Sequence, residues 1–335
     1  MQKYFNKFVP YIITKHKRNY ILVCISGGQD SICLIKLIEN LKKVFYNYTI
    51  NYIYIDHQWT KNSKKQTYHI INYIRQSNQQ LYIYQITQGS FSENNARKYR
   101  YHLIFNHALK YKYNIIMTAH SQTDKIETCI FNLIRGTSLE GITSLNLNIQ
   151  LDNKISLLRP LILNDRTDIN FFCKRWCLPI WIDKTNYNFN IYRNRIRNEV
   201  IPYFKTYINY NTEKSVLNFI QNCYYDNEYI KKKSIIFYCT NINKYYIKLN
   251  YNFLIKQHIS IQIKVLQIFI YFHFNLIIHK YFLIHLIYYF HLYKSKIRTK
   301  QFNILQWKNL KFYLNKQCIY TTIVKNRPNL EPLKL

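Results

Sequence analysis

Glycine, proline and acidic side chains are scarce in this chain of 335 residues, which holds five Gly, six Pro and 16 Asp or Glu, and alanine is rarer still. With so few glycines, a doubled one marks a turn that needs the freedom only glycine has. None of the eight cysteines stands in a C-x-x-C pair. That leaves no zinc ribbon and no disulfide framework to expect, and points to a reducing compartment; Cys173 and Cys177, at i, i+4 beside Trp176, read as one helix face. No apolar run reaches the roughly 20 residues of a membrane-spanning helix. The nearest, Val265 to His279, is interrupted by Gln267, His273 and Asn275, so a buried helix and no membrane partner are expected. No signal-peptide core precedes the first motif at residue 26, so no cleavable leader is expected, and no repeat period is evident.

What is abundant is tyrosine, at 34 residues, with isoleucine, asparagine and lysine. Their codons are A/T-rich, so this composition reads as drift in an A/T-rich genome, such as an organelle's or a reduced bacterium's, and carries no function by itself. The net charge of +32 does constrain partners, because self-repulsion on that scale is best tolerated beside a polyanion. Residues 1–200 hold 28 basic and 12 acidic side chains and the shorter remainder 20 and 4, so the C-terminal part is the more densely basic. RNA or DNA fits that balance.

The one adjacent glycine pair lies in Ser26-Gly27-Gly28-Gln29-Asp30-Ser31, between an apolar run (Ile21 to Ile25) and a helical pattern (Ile32, Leu34, Ile35, Ile38, Leu41). A strand, a glycine turn and a helix start make an anion site, because unpaired N–H groups and the positive end of the helix dipole face the turn. The spacing is neither that of a Walker A loop nor that of a dinucleotide fingerprint. Beyond it, a strand at Thr49 to Ile55 closes on Asp56-His57 and a polar helix runs from Ser63 to Gln76. A strand at Leu81 to Ile86, a helix from Ser92 to Lys112, a strand at Asn114 to Ala119 and a helix from Asp124 to Ile134 follow. This alternation predicts an α/β fold with a doubly wound parallel sheet, whose ligands sit at the carboxyl ends of the strands. Four of the 16 acids, Asp30, Asp56, Asp124 and Glu127, fall at such ends. Asp124 and Glu127, at i, i+3, share a helix face; they could hold an ammonium group or a metal-bound phosphate, or stand as solvated acids favoured by a helix start. After about residue 205 the motifs stop. Lys231-Lys232-Lys233 reads as an exposed bend, Ile261 to Ile278 and Tyr281 to Tyr293 as two helices, Lys294 to Lys300 as a basic stretch before strand-like pieces, and Asn326 to Leu335 as a loose tail.

Residues 26–31 resemble the pyrophosphate-binding loop (PP-loop) of the ATP pyrophosphatase superfamily, which cleaves ATP between its α and β phosphates. Ala119-His120-Ser121-Gln122-Thr123-Asp124-Lys125-Ile126-Glu127-Thr128 resembles the Ala-His-x-x-Asp-Asp-x-x-Glu-Thr block of tRNA(Ile)-lysidine synthases. Glu93, Ala96-Arg97 and Arg100-Tyr101, then Arg135-Gly136 through Gly141, Arg159-Pro160-Leu161, Asp183-Lys184-Thr185-Asn186 and Arg193-Asn194-Arg195-Ile196-Arg197 are similar to further blocks in the same order. There are two departures: Thr123 replaces the first Asp of the family's pair, and Gln58-Trp59-Thr60 replaces its Gly-Leu-Arg.

The resemblance implies ATP-dependent attachment of free L-lysine to the wobble cytidine of an isoleucine tRNA with a CAU anticodon, with ATP and Mg2+ bound. It implies a PP-loop catalytic domain at 1–205 and a basic, helix-rich, tRNA-contacting region at 206–335, smaller and mostly helical. Ser26, Gly27, Gly28, Gln29, Asp30, Ser31, Asp56, His57 and His120 would bind the nucleotide, with Asp30 serving as magnesium ligand or as base toward lysine. Asp124 and Glu127 would hold lysine and Arg193 would act beside them, while Arg97, Arg100, Arg135, Arg195 and Arg197 would contact RNA. A plastid stroma, or otherwise a bacterial cytoplasm, is the expected compartment, and a homodimer is compatible. The alternatives are a tRNA thiolase built on the same loop, against which the missing C-x-x-C pairs count, and a non-catalytic RNA-binding relative, against which the retained acids count.

Overall fold

Hydrophobic alternation along the first strand already sorts the two layers of the protein. In the computed structural model, β1 (Tyr20–Ile25) turns Ile21, Val23 and Ile25 to one side and Leu22 to the other, and all four are buried. The structure describes residues 1–15, 20–44, 48–58, 63–77, 79–86, 93–181, 189–242, 247–293, 302–307, 310–315 and 318–323. Trp59, Thr60, Ser92, Asp183 to Asn186, Lys294 to Lys300 and Asn326 to Leu335 lie outside them.

Helix α1 (Gln2–Lys15) precedes β1. Helix α2 (Gln29–Lys42) leads to β2 (Thr49–Asp56), α3 (Ser63–Arg75) to β3 (Leu81–Gln85), and α4 (Glu93–Lys110) to β4 (Ile115–Thr118). Next come α5 (Gln122–Ile134), the single turn α6 (Leu139–Ile142), β5 (Asn148–Gln150), β6 (Ser156–Leu158) and α7 (Arg166–Arg175). The sheet order is β3-β2-β1-β4-β6-β5, parallel except where β5 runs against β6. Register pairs Ile25 with Tyr54 and Cys24 with Thr118, so β1, β2 and β4 end side by side. The connections wind to one side of β1 through α2 and α3, and to the other through α4. The resulting switch point lies between β1 and β4, where open parallel sheets hold their ligands. One face is covered by α1, α2, α3 and α7 through Val9, Leu34, Ile38, Ile70, Ile169 and Phe172, and the other by α4 through Ile104 and Ala108. The expected doubly wound sheet is thus the one observed.

A helical stretch follows, formed by α8 (Tyr192–Arg195), a π turn at Ile196–Val200, α9 (Ile201–Tyr203) and a second π turn at Phe204–Ile208. Ile196 and Ile201 pack on Ile126 and Ile130 of α5, which fixes the stretch beside the end of β4. The chain divides into Met1–Gln221 and Asn222–Leu335, a boundary inside the 30-residue helix α10 (Thr212–Asn241).

In the C-terminal unit, β7 (Lys248–Asn250), α11 (Tyr251–Leu254), α12 (Ile259–Phe274), α13 (Lys280–Tyr293), β8 (Phe302–Trp307), β9 (Leu310–Asn315) and β10 (Cys318–Ile323) complete the chain. Its four strands form an antiparallel sheet in the order β7-β10-β9-β8. Val265, Phe269, Leu283, Phe290, Leu310 and Phe312 make the core. The two apolar runs are helices as expected, and α12 stops where Asn275 turns left-handed at φ 51°. Among the described residues no helix is long and apolar enough to cross a membrane. Lys231-Lys232-Lys233 corrects the reading above: these residues continue α10 instead of bending it. Lysine is a good helix former, no Gly or Pro interrupts residues 212–241, and exposed ammonium groups stay in water without breaking the helix.

Candidate active site

The turn after β1 is built for close backbone approach. Gly27 sits at φ 75°, where a side chain would be strained, and a Cβ there would meet Ile70 Cδ1 at 3.0 Å. Gly28 caps α2 with extended backbone and no side chain to satisfy the first amides, which are left facing the turn. Ser31 closes the loop on itself: its Oγ accepts the Ser26 N–H at 3.0 Å and lies 2.9 Å from Ser26 Oγ. Two neighbouring helices brace the turn. Gln66 of α3 donates to Ser26 O at 2.8 Å, and Gln29 donates to Asn170 of α7. Gly27→Ala therefore combines a left-handed penalty of about 1–2 kcal/mol with displacement of Ile70. Lower chemical-denaturation stability and weaker ATP binding by calorimetry are expected together, and unchanged ATP affinity would count against this turn as the phosphate cradle.

Asp30, second residue of α2, is half-buried, and no hydrogen bond or ion pair among the described residues reaches its carboxylate. Burial, then Asp124, pushes its pKa up to about 6, against the pull of Arg166 and Arg197. A carboxylate left without a partner beside open helix amides suits a magnesium ion, which is held by one or two carboxylates together with substrate phosphate oxygens.

The end of β4 carries the second half of the site. Asp124 Oδ2 accepts the N–H and hydroxyl of Ser121 at 2.8 and 3.2 Å, which anchors the start of α5. Its Oδ1 accepts Arg193 Nη2 at 3.1 Å and Arg197 Nη2 at 3.2 Å. Glu127, fully buried at 0 % exposure, accepts Arg193 Nε at 2.9 Å, Arg197 Nε at 2.5 Å and Arg197 Nη2 at 3.0 Å. The two acids at i, i+3 and the two arginines at i, i+4 thus form a closed, neutral four-residue cluster. A carboxylate offers about four acceptor positions, so Asp124 is filled and Glu127 keeps one. Arg193 favours the charged form of Asp124, whose pKa is lowered in spite of burial.

His120 touches Thr118 Oγ1 through Nδ1 at 2.9 Å. Burial depresses its pKa well below the usual range, and Arg159 and Arg97 add to this against Asp124, so the ring stays neutral at physiological pH. At the end of β2, Asp56 is buried and accepts the Gln58 N–H at 2.9 Å, which holds the turn after the strand. The next residue, His57, is also depressed by burial and by Arg100. Arg97 and Arg100 bracket the Tyr101 ring, each 5.9 Å from its centre. The structure thus gathers the loop, Asp30, Asp56, His57, His120, Asp124, Glu127, Arg193 and Arg197 at adjoining strand ends. Arg195 is exposed, since it lies about 200° around a helix from Arg193. Arg135 is exposed too, at the far end of α5, with its guanidinium 5.2 Å from the Phe131 ring.

Sequence reasoning placed Arg159 in a family block without a role; it is 5 % exposed and donates from Nη1 to Asn146 O at 2.7 Å, and the bracing residues Gln66 and Asn170 were missed altogether. Its burial was legible from its neighbours, because an arginine directly before Pro160 in an otherwise apolar strand end must be held by something.

Comparison with known proteins places the chain among relatives. The PP-loop domain family matches residues 1–204. The chain is 41% identical over 320 residues to the chloroplastic tRNA(Ile)-lysidine synthase of Gracilaria tenuistipitata var. liui, covering 94% of this chain and 97% of the relative. It is 34% identical to the chloroplastic enzyme of that name from Pyropia yezoensis, covering 79% of this chain and 78% of the relative. A tRNA(Ile)-lysidine synthase of the cyanobacterium Nostoc is 34% identical over 63% of this chain and 62% of its own. Among solved structures, a U34-tRNA thiolase from Methanococcus maripaludis superposes with a TM-score of 0.53 at 11% identity, covering 66% of this chain and 77% of that one, a likeness of fold alone.

Proposed function

This chain belongs to the tRNA(Ile)-lysidine synthase family, and we propose from that premise how its strand ends divide the work. It acts on tRNA and uses ATP through its PP-loop domain. The reaction we assign is ligation of free L-lysine to ring carbon 2 of the wobble cytidine of a CAU anticodon, with formation of a carbon–nitrogen bond. The cytidine O2 attacks the α phosphorus of ATP and pyrophosphate leaves. The lysine Nε then attacks ring carbon 2, AMP departs with the former O2, and the ammonium proton is lost to a base. The observation that carries this reading is the juxtaposition of open α2 amides and the unpaired Asp30 with the acid and arginine cluster of α5, α8 and the π turn after it.

The amides of the first turn of α2 would hold the β and γ phosphates and stabilise the charge that builds as pyrophosphate leaves. Asp30 would hold magnesium, which when bound would neutralise phosphate charge. Arg193 and Arg197 would exchange their carboxylates for RNA or ATP phosphate when substrates arrive. That exchange bares Asp124 and Glu127 for the lysine ammonium, and so couples lysine binding to nucleotide binding. Neutral His57 and His120 can accept a hydrogen bond among these cations without adding charge. Chloroplastic relatives support a plastid as the compartment, and we assign the chain to its stroma.

The test is pyrophosphate release measured with a panel of tRNAs. It should require a tRNA with a CAU anticodon, and labelled lysine should be incorporated into the same tRNA. Release without tRNA, or label in a different tRNA, would overturn the assignment.

A further inference from the structure

Away from the carboxyl ends of the strands, α2, α3 and the segment that follows α7 line a groove of about 990 Å³. Lys42 and Lys43, at the C-terminal end of α2, stand about 20 Å along the helix from Gln29 and the loop. The lining is basic and aromatic. Lys42 and Lys43 line it near the end of α2, and Trp176 lines it with Lys36 beside the ring and 46% of its surface exposed. The one acid lining the groove, Glu39, is paired with Lys36 at 3.2 Å, and Lys36 also lies 5.1 Å from the Trp176 ring centre. Lys42 is held by Gln79 Oε1 at 2.7 Å, which fixes its ammonium at the rim. His69 is anchored through Nε2 to Pro179 O at 2.9 Å and packs on Trp181, 5.8 Å between ring centres, so the wall is preorganised. The floor is Tyr52, 1% exposed, and no hydrogen bond among the described residues reaches its hydroxyl.

A half-exposed indole among ammonium groups, over the Tyr52 side chain, is the recognition chemistry of a base joined to phosphate. We propose that this groove takes an unstacked nucleotide of the tRNA body, with its base on Trp176, a polar base edge toward Tyr52, and flanking phosphates at Lys42 and Lys43. This rests on the reading of tRNA as the substrate, and it adds a contact distant from the anticodon chemistry. An RNA segment suits the groove better than a free nucleotide, because the space is larger than one nucleotide needs and the charges are spread along a helix end.

The experiment measures dissociation constants of the full chain for a CAU-anticodon tRNA transcript, and separately for ATP without tRNA. Trp176→Ala should weaken tRNA binding about tenfold, the scale of one lost base–aromatic stack, and Trp176→Phe should restore most of it. Lys43→Ala should lower the salt dependence of tRNA binding by about one in slope. ATP affinity should stay within about twofold in every variant, since none of these side chains is near the loop. Unchanged tRNA affinity in both Trp176→Ala and Lys43→Ala would overturn the proposal, as would a response of Trp176 fluorescence to AMP but not to RNA. Thermal melts identify a misfolded Trp176→Ala, in which case Lys43→Ala and Trp176→Phe decide. If the wild-type chain does not bind the transcript, the substrate reading fails by itself, and a short unstructured RNA tested on the same variants decides the groove.

Discussion

Asp30→Asn is expected to abolish tRNA-dependent pyrophosphate release, by about a thousandfold or more, while making the ligand-free protein more stable at pH 8. Both effects have one origin. The Asp30 carboxyl is half-buried without a partner, and burial raises its pKa to about 6 from an ordinary 3.8. A raised carboxyl means that the folded state holds the proton more tightly than the unfolded chain. Its stabilising contribution is therefore complete below about pH 4, declines between about 4 and 6, and is gone above 6. At neutral pH the wild type carries an ionised group its fold disfavours, and two pKa units correspond to at most about 3 kcal/mol, or about 1–2 after allowing for partial solvent access. Asparagine removes that burden and, with it, the charge that would hold magnesium and phosphate.

The check is a pair of denaturation curves at pH 8 and pH 4.5, in which the variant's advantage should be present at the first and largely absent at the second. Calorimetry of ATP and magnesium binding near pH 6, in buffers of different ionisation enthalpy, should report about half a proton more released from the wild type than from the variant, since a carboxyl with a pKa of about 6 is half protonated there. Wild-type turnover by Asp30→Asn would remove this residue from the chemistry.

The strand ends were legible from sequence because they depend on local signals. A run such as Ile21 to Ile25, followed by the only adjacent glycines, specifies strand, turn and helix without knowledge of the rest of the fold. The acids could likewise be placed, since Asp124 and Glu127 follow a strand by a few residues. Of their partners, Arg193 is placed beside them by the family resemblance alone, and Arg197 is assigned to RNA. Arg193 and Arg197 come 66 or more residues later, and only the packing of Ile196 and Ile201 on α5 brings them over the acids. The i, i+4 spacing of these arginines, matching the i, i+3 spacing of the acids, was the available signal. It does not tell an ion-pair ladder from a phosphate clamp. The groove near Trp176 was hidden for the same reason, because its walls come from two helices and the segment that follows a third, far apart in the chain. Lys231 to Lys233 misled for the opposite reason: three consecutive charges suggest a solvated bend when the alternative, one wet edge of a long helix, costs nothing.

Glu127→Gln carries the second large effect, and it separates architecture from substrate binding. Glu127 is fully buried and takes three hydrogen bonds from two guanidinium groups. A glutamine keeps the shape but presents an NH2 to arginine donors and leaves positive charge uncompensated, so stability should fall by about 3 kcal/mol, the lower end for breaking a buried pair. Arg197→Met in the same background removes the stranded cation and should recover part of that loss. It cannot restore a carboxylate for the lysine ammonium. The Michaelis constant for lysine should therefore rise at least tenfold in Glu127→Gln, in which that for ATP changes less than about threefold, and should stay high in the double variant. A purely architectural Glu127 predicts that lysine affinity recovers with stability when Arg197 is replaced. A catalytic one predicts that the two part company, and steady-state kinetics on the two proteins, beside their melting curves, distinguishes these outcomes.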